Sequence, residues 1–382
     1  MGDHRQGRGA PPRRLALTPA SRLPRGRAGL ALLAVLAGAA AGARADAPVP
    51  TQPRVRVLLL ETGGSVLVRE GAGPARATRV EPAPGGLLAD SRPVGSVWRV
   101  ESGGVLHVGD YRVRGALEVL RVPLGLQVVN RVALEDYVAG TVAREVYPDW
   151  APEMLKAQAV VARTYALHQR GRHPGRAFDV RGGTSGQVYG GVDAETPAVW
   201  AAVRVTRGEY LADSEGPILA VYHSASGGRT ASAEEVWGRP VAYLVSVPVE
   251  GEEDSPDTYW RASVSGTTLG RALAALGIRV GPVRELRVSE RSPSGRALRL
   301  KVRGADGSES LEARVLRSVL GEQVIRSTLF EIRAADAGFV FVGSGHGHGV
   351  GMSQWGGQAM AVRGASYREI LAAFYPGTEL RR

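Results

Sequence analysis

The sequence predicts an α+β fold, with mostly antiparallel sheet regions, a central pair of helices and two further helices near the C-terminus. The first observation is a period-2 alternation of apolar and polar residues in short runs between residues 54 and 131, which is typical of antiparallel strands. The second is the helical spacing of apolar residues from Leu134 to Leu167. The third is a pair of helix-like segments, 353–363 and 367–374, the last of which begins with a capping-box pattern of Ser366 and Glu369.

The N-terminal 45 residues have the pattern of a secretory signal peptide. Arginines up to Arg27 precede an apolar run of small residues, Ala28–Ala43, and Ala43-Arg44-Ala45 forms a cleavage motif. Residues 46–53 then predict a flexible lead. We therefore expect an extracytoplasmic protein, in the periplasm or cell wall, with cleavage near Ala45. Only the export signal would contact the membrane.

The basic character of the chain lies largely in this signal. The formal net charge is +11, of which the eight arginines and one aspartate of residues 1–45 contribute +7, leaving +4. A small positive excess suits an acidic envelope polymer and gives no reason to expect a nucleic-acid partner. The chain has no cysteine, which excludes disulfides, thiolate metal sites and a cysteine nucleophile.

Beyond the lead, the chain divides into two parts. Residues 54–131 predict an N-terminal β-rich part, and residues 132–382 predict a core, with a β-rich subdomain near 260–330. In the core we expect helices at 134–146, 152–170 and 268–276, and strands and loops across 178–250.

The first helix of the central pair carries a carboxylate at an unexpected position. Leu134, Val138, Val142 and Glu145 share one helix face, so the glutamate lies where the stripe should be apolar. It also falls at the helix C-terminus, where the macrodipole disfavours negative charge. Desolvation and the dipole both raise the pKa of a carboxyl group, as a general acid requires. The alternative is a glutamate at a frayed helix end, exposed or paired with an arginine.

The second helix is apolar nearly all round and carries two polar stripes. Lys156 and Arg163 share one face, and Gln158 and Tyr165 share nearly the opposite face. Buried polar side chains need partners. These four residues are therefore either structural ties to neighbouring loops or contacts to a ligand.

Two later segments place polar side chains among glycines and other small residues. Gln187 and Tyr189 share a face of a strand-like stretch, which suits sugar recognition and ordinary sheet packing equally. His223, Ser224 and Ser226 follow a strand, but without a G-x-S-x-G elbow or a placed acid they match a serine hydrolase weakly.

The C-terminal segment contains a second group of polar residues. His346 and His348 would point the same way on an extended backbone, and with His223 they could ligate a metal. No H-E-x-x-H or comparable spacing supports a metal, and contact with a polar ligand fits as well. Ser353 and Gln354 lie where a helix is predicted to begin, a position that binds anionic or polar groups.

Taken together, these segments resemble the stage II sporulation protein D family, also called the SpoIID/LytB or amidase-enhancer family. The matching blocks follow the family's order over roughly residues 54–380: LEDYVAGTVAREV, LKAQAVVARTYA, GQVYGG, HSASGGRTASAEEVWG, SPSGRALRLKV, RSTLFEI, GHGHGVGMSQWGGQAMA and YREILAAFYPGTEL. Members are exported bacterial proteins that act on peptidoglycan. The resemblance implies a lytic transglycosylase that cuts glycan strands after an amidase has removed the stem peptides, or an enhancer of such amidases.

The resemblance also implies a set of site residues. The family's catalytic glutamate falls in the motif A-R-E-V, hence on Glu145, the carboxylate that helix geometry had already distinguished. Some relatives hold zinc with two cysteines, whose positions here are Arg181 and Gly186, so we expect no zinc and no cofactor. By the same mapping, the residues that line or shape the glycan cleft are Lys156, Gln158, Arg163, Tyr165, Gln187, Tyr189, His223, Ser226, His348, Ser353 and Gln354.

The implied chemistry is consistent with a single carboxylic acid. A glycosidase that uses water normally needs two carboxylates about 5–9 Å apart. A lytic transglycosylase instead uses the 6-hydroxyl of muramic acid, which leaves a 1,6-anhydro-muramyl end. In this hypothesis Glu145 protonates the glycosidic oxygen and then accepts the hydroxyl proton, while Lys156 and Arg163 tune its pKa or contact the lactyl carboxylate.

Two alternatives remain at this point. The first is a non-catalytic peptidoglycan-binding amidase enhancer, because a fold does not fix a function. The second is a hydrolase that uses a histidine-bound metal. The expected partners are peptidoglycan glycan strands and, in either of the family's roles, a cell-wall amidase.

Overall fold

The computed structural model describes residues 53–71, 77–183, 186–336 and 338–382. The predicted signal peptide and the lead up to residue 52 lie outside them. Within them the α+β class is confirmed, and a short 3-10 helix, Gly191–Ala194, accompanies the regular elements. The helices are α1 Leu134–Glu145, α2 Pro152–Gln169, α3 Pro197–Val205, α4 Ala233–Trp237, α5 Gly266–Ala274, α6 Ala313–Leu320, α7 Gln354–Val362 and α8 Tyr367–Phe374.

The strands of the described residues form five sheets, one large and four small. Those of the large sheet are β1 Arg54–Thr62, β2 Val66–Glu70, β3 Ala77–Ala83, β4 Gly86–Ala89, β5 Arg92–Pro93, β6 Val97–Val108, β7 Tyr111–Val122, β8 Gly125–Ala133 and β9 Val180–Arg181. The others are β10 Tyr210–Asp213, β11 Gly216–Pro217, β12 Tyr222–His223, β13 Trp260–Ser265, β14 Val283–Arg291, β15 Ala297–Gly304, β16 Ser308–Glu312, β17 Phe330–Ala335, β18 Gly338–Gly343, β19 Met352–Ser353 and β20 Glu379–Arg381.

The large sheet has the order β5-β4-β3-β2-β6-β7-β8-β1-β9. Its neighbours pair antiparallel, except that β9 pairs parallel with β1. The alternation pattern located β1, β2, β6, β7 and β8, but β3 to β5 were not predicted. β4 and β5 have only four and two residues, and Pro82 interrupts the alternation in β3, so no run stands out.

The junction between this sheet and the helices has no linker. β8 ends at Ala133, and α1 begins at Leu134, whose backbone N–H donates to the carbonyl of Pro53 at 2.8 Å. Val138 and Val142, one and two turns further on, are fully buried, as the apolar stripe predicted. The end of β8 therefore fixes where α1 starts and which face it buries.

Helix α2 lies at the centre of the main hydrophobic core. It contacts α1, α3, α7 and α8, so side chains on all sides of it meet another element. Met154, Val160 and Ala166 are fully buried. This surrounded position explains why the segment is apolar nearly all round.

A second hydrophobic core lies between residues 260 and 341. The sheets β13-β18-β17 and β14-β15-β16 form it together with α5 and α6. Leu269, Leu300 and Phe341 are fully buried there, and the Phe330 and Phe341 rings pack edge to face at 5.3 Å.

The region 178–250 differs from its prediction. It contains α3 and α4 among loops and very short strands, so the expectation of strands and loops alone was wrong. The start of α3 has ordinary signals that the prediction overlooked, because Thr196 caps the helix by accepting from the Val199 N–H and Pro197 occupies the first turn. Helix α6 was also missed. None of the helices described is both long and apolar enough to span a membrane.

Gly191 allows the loop after β9 to pack closely on the large sheet. Its φ is +59°, and a Cβ placed there would lie 2.1 Å from the carbonyl oxygen of Arg112 in β7. Gly171 has a similar φ of +77°, but a Cβ there would meet nothing within 4 Å. A comparison of alanine substitutions at the two positions therefore separates the cost of a positive φ from the cost of a steric clash.

We expect Gly191→Ala to lower the free energy of unfolding more than Gly171→Ala. Both substitutions place a side chain in the left-handed region, at about 1–2 kcal/mol. Gly191→Ala adds a clash with a backbone atom that cannot rotate away, worth about 1–3 kcal/mol more. Urea unfolding of the two variants measures the difference. Equal losses in the free energy of unfolding would show that the loop after β9 can move away from Arg112 without destabilising the protein.

Candidate functional site

Glu145 is the last residue of α1 and lies half-buried at the wall of a cleft of about 410 Å³. Its Oε1 accepts a hydrogen bond of 2.6 Å from the backbone N–H of Val188. The cleft is lined by Ala143, Arg144, Glu145, Val146, Tyr147, Pro148, Trp150, Ser224, Pro256, Asp257, His346, Gln354 and Trp355.

Burial raises the pKa of the Glu145 carboxyl group above its ordinary value. The Val188 N–H, the Tyr222 hydroxyl and the Gln354 amide favour the carboxylate and act in the opposite direction, but desolvation outweighs them. The negative end of the α1 dipole adds to the effect of burial. Glu145 is thus a carboxylic acid that keeps its proton to a higher pH than a free glutamate.

Gln187 connects Glu145 to the interior through two tyrosines. Its Oε1 accepts from the Tyr137 hydroxyl at 2.8 Å, and its Nε2 donates to the Tyr222 hydroxyl at 3.3 Å. Burial raises the pKa of Tyr222 well above 10, so the phenol keeps its proton for donation towards Glu145. Sequence reasoning missed Tyr137 and Tyr222.

Tyr189 supports the same loop from behind. Its ring stacks on Tyr137 at 5.4 Å, and its hydroxyl donates to Asn130 Oδ1 at 3.1 Å. A Cβ at Gly140 would lie 2.7 Å from the Tyr189 ring, so α1 needs a glycine there. Gln187 and Tyr189 both contact Tyr137, but residues 187–190 form no strand, which corrects the predicted strand-like conformation.

Three aromatic rings form one wall of the cleft. The rings of Trp150 and Trp355 meet edge to face at 4.8 Å, and Tyr147 lies 5.5 Å from the first and 6.3 Å from the second. Tyr147 is largely exposed. Aromatic faces of this kind provide large and rigid apolar contact area, which suits the apolar faces of sugar rings. None of these three aromatic residues was predicted from sequence as a site residue.

Asp257 and His346 line another wall of the cleft. His346 Nδ1 and Asp257 Oδ2 are 3.0 Å apart, and the other carboxylate oxygen of Asp257 is paired with Arg326. The cleft therefore contains a second carboxylate, although the sequence analysis assumed a single one. Asp257 lies in a loop with no motif around it, so the sequence offered no signal for this placement.

The two histidines of the H-x-H segment do not point the same way. His346 faces the Glu145 cleft, whereas His348 lines a separate cavity of about 460 Å³ beside Trp237 and Arg296. The prediction of a shared direction was wrong because Gly347, with φ +108°, is not in an extended conformation. Burial lowers the pKa of His348 to about 4, and the charges of Arg317 and Arg296 act in the same direction.

His223 lies beside His348, with ring centroids 5.7 Å apart. Its Nδ1 is 3.1 Å from the carbonyl oxygen of Val350, and burial lowers its pKa far below the ordinary value. Within the described ranges, no three His, Cys, Asp or Glu side chains are arranged to hold a metal ion.

The sequence of the chain is similar to known proteins. A family model described as stage II sporulation protein matches residues 124–212, and one described as a domain of unknown function (DUF8618) matches residues 244–351. The chain is 36% identical over 290 residues to an uncharacterised protein of Brachyspira hyodysenteriae, covering 75% of this chain and 76% of that protein. It is 30% identical over 273 residues to stage II sporulation protein D of Bacillus subtilis, covering 66% and 76%. The chain belongs to the stage II sporulation protein D family.

A further relative is the amidase enhancer of Bacillus subtilis. It is 30% identical over 286 residues, which cover 63% of this chain but only 40% of that longer protein. In this member of the family, the first model match contains Glu145 and Gln187, and the second contains Asp257 and His346. The cleft is therefore built from both matched segments.

A buried carboxylate, Glu252, assembles the loops behind the cleft. It accepts hydrogen bonds from the hydroxyls of Ser226 and Ser353 and from the backbone N–H groups of Ser226, Gly227 and Gly228. Ser226 and Ser353 are fully buried, and Ser353 also caps α7 by accepting from the Gly356 N–H. These serines, selected from sequence as cleft residues, hold the loops that place Gln354 at the cleft.

We expect Glu252→Gln to destabilise the protein by about 2–4 kcal/mol. The NH2 group of the new side chain would face backbone N–H donors, and the negative charge that those donors bind would be lost. Exposed Glu253 provides a matched control, so Glu253→Gln should leave the thermal midpoint unchanged. An unchanged thermal midpoint in Glu252→Gln would contradict the role of Glu252 in holding these loops together.

The polar residues of α2 lie outside the cleft lining. Arg163 is fully buried, donates twice to Glu135 at 3.0 and 2.7 Å, and donates to the Glu209 carbonyl at 2.9 Å. Lys156 pairs with Glu153 and lies 5.9 Å from the centre of the Tyr367 ring. Both cations are bound to carboxylates other than Glu145, which favours the structural alternative over direct ligand contact.

The other polar stripe of α2 lies nearer to Glu145. Burial raises the pKa of half-buried Tyr165, and the charge of Glu145 contributes to the shift. Gln158 is fully buried, and neither polar atom of its amide has a hydrogen-bond partner among the residues described.

We expect Arg163→Ala to cost about 3–5 kcal/mol, because it leaves the Glu135 carboxylate buried without its partner. Arg303→Ala, which breaks an exposed pair with Glu285, is the control and should cost no more than about 1 kcal/mol. Denaturant unfolding measures both. A stable Arg163→Ala protein that has lost only glycan binding would restore the ligand-contact hypothesis.

Proposed function

We propose that this chain acts on bacterial peptidoglycan as a lytic transglycosylase. It would cleave the MurNAc-GlcNAc strand and leave 1,6-anhydro-muramyl ends, on strands from which an amidase has removed the stem peptides. Membership of the stage II sporulation protein D family supports a role at the cell wall. The observation that carries the proposal is Glu145, a half-buried carboxyl group with a raised pKa at the wall of an open cleft.

In the proposed reaction, protonated Glu145 donates to the glycosidic oxygen that leaves with the neighbouring sugar. The bond from that oxygen to C1 of the muramic acid breaks, the 6-hydroxyl oxygen of the same sugar bonds to C1, and the hydroxyl proton passes to a base of the cleft. Because the nucleophile belongs to the substrate, no water has to be activated. The raised pKa of Glu145 favours the protonated acid, while the Val188 N–H stabilises the carboxylate that forms.

The remainder of the cleft suits a sugar chain. Its volume of about 410 Å³ is within the range for small-ligand sites. The rings of Tyr147, Trp150 and Trp355 offer apolar faces, and the Gln354 amide lines the same cleft, where it favours the Glu145 carboxylate. An apolar platform beside a few polar groups is a usual arrangement for orienting a carbohydrate.

A non-catalytic amidase enhancer is the second candidate. It is favoured by the 30% identity to a relative of that name, although the match spans only 40% of the relative. In this candidate the cleft binds glycan strands and presents them to a cell-wall amidase. Both candidates act outside the cytoplasm, which the export signal proposed for residues 1–45 would provide.

We expect Glu145→Gln to abolish the formation of 1,6-anhydro-muramyl ends, with a rate loss of about 10²–10⁴-fold. The assay is digestion of intact and stem-stripped peptidoglycan by the mature chain, with products identified by mass spectrometry. Exposed Glu309→Gln is the control and should retain full activity. Because the acid must be protonated, kcat/KM should fall as pH rises through the raised pKa of Glu145.

Other results would assign a different function. Reducing ends in place of anhydro ends would establish hydrolysis by water. No products from either protein, with both still retained on glycan, would establish the binding role of an amidase enhancer.

A further inference from the structure

His346 is held in one orientation at the wall of the Glu145 cleft. Its backbone N–H donates to the Ala225 carbonyl at 2.8 Å, and the Ala225 N–H donates to the His346 carbonyl at 3.2 Å. Its Nδ1 lies 3.0 Å from Asp257 Oδ2, and the backbone N–H of Gly345 donates to the Asp257 carbonyl at 2.8 Å. The ring is thus fixed from its backbone and from its side chain, while 26% of the side chain remains exposed.

Asp257 determines which ring nitrogen carries the proton. Its carboxylate accepts from Nδ1–H, so in the neutral imidazole the other nitrogen, Nε2, has a free lone pair. Asp257 is only 6% exposed, and Arg326 holds its second oxygen. This is the arrangement in which a buried carboxylate orients a histidine base and stabilises the imidazolium that it becomes.

We propose that His346 is the base that accepts the proton of the substrate's 6-hydroxyl, and that Asp257 is its positioning residue. The inference rests on the proposed transglycosylase function. It divides between two residues the acid and base roles that the sequence analysis gave to Glu145 alone. His346 would be a catalytic residue because it contacts the reacting hydroxyl group.

The proton balance of this step is complete. Glu145 gives its proton to the leaving glycosidic oxygen and becomes a carboxylate, while the 6-hydroxyl loses its proton to His346 Nε2. The C1–O bond to the leaving sugar breaks as the bond from O6 to C1 forms. The site then holds a Glu145 carboxylate and a His346 imidazolium, and transfer of the proton from His346 to Glu145 through solvent restores both.

A separate base has an advantage over Glu145 acting twice. A single carboxyl group would have to serve the leaving oxygen and the 6-hydroxyl together or in turn, whereas two groups can each serve one of them. Glu145 at the end of α1 and His346 before β19 come from different segments that line one cleft. Glu145 can then protonate the glycosidic oxygen that leaves C1 while His346 takes the proton from the O6 that attacks C1.

The test uses the mature chain on stem-stripped glycan, with anhydro ends as the product measured. His346→Gln should lower kcat about 10²–10⁴-fold with KM within about twofold of wild type. Added imidazole should restore part of kcat in His346→Ala but not in Glu145→Gln. Asp257→Asn should lower kcat without raising KM, because the amide no longer selects the same tautomer. Exposed His173→Gln is the control.

Each contrary result overturns the inference. Wild-type kcat in His346→Gln would leave Glu145 as acid and base, with the proposed function intact. A raised KM at unchanged kcat would make His346 a sugar contact. A kcat loss with a lowered thermal midpoint and no rescue by imidazole would make it structural. A wild-type chain that forms no anhydro ends would overturn the proposed function, and this inference with it.

Discussion

The position of the cleft depends on the direct passage from β8 into α1. A helix that starts at the next residue after a central strand cannot shift along its axis without breaking sheet pairing, and β8 is paired on both sides, with β7 and β1. At 1.5 Å per residue, Glu145 lies about 16 Å along the helix axis from Leu134, the residue that follows β8. The carboxyl group is therefore located by the sheet, and the loop containing Val188 is then packed against it.

Three buried carboxylates among the described residues hold the helices and loops around the cleft in place, and each has partners of a different kind. Glu135 binds the guanidinium of Arg163 between α1 and α2. Glu252 binds backbone N–H groups and two serines, which joins the loop after β12 to the start of α7. Asp257 binds Arg326, from the loop before β17, and His346, from the loop after β18. Because each is satisfied by several hydrogen bonds, burial of the charge is compensated and the loops are fixed.

The parts of this molecule that could be predicted from sequence are those with local periodicity. The α1 stripe, the buried α2 and the capping box at Ser366 are each encoded within about twenty residues, and the structure has all three. The predicted importance of Glu145 also came from local geometry, since burial and the helix end both raise its pKa. Such features need no knowledge of distant contacts.

The parts that could not be predicted depend on contacts between distant segments. Asp257 and His346 are 89 residues apart, and neither has a neighbouring motif that indicates the pair. Arg163 looked the same from sequence whether it faced a ligand or Glu135, because helix spacing gives a face and not its partner. The H-x-H prediction failed for a related reason: it assumed an extended backbone, and the glycines around His346 allow a turn that a period-2 argument excludes.

Asp257 is a second carboxylate in the Glu145 cleft, and its partners decide whether it could take part in hydrolysis. Two free carboxylates in one cleft would indicate hydrolysis by activated water. Asp257, however, is paired on one oxygen with Arg326 and on the other with His346, so neither oxygen is available to approach a sugar carbon or a water at C1. The cleft is lined by the Glu145 carboxyl group, whose pKa is raised by burial, and by the imidazole of His346. The proposed reaction needs no more than these two groups, because the substrate's own hydroxyl is the nucleophile and requires only a proton acceptor.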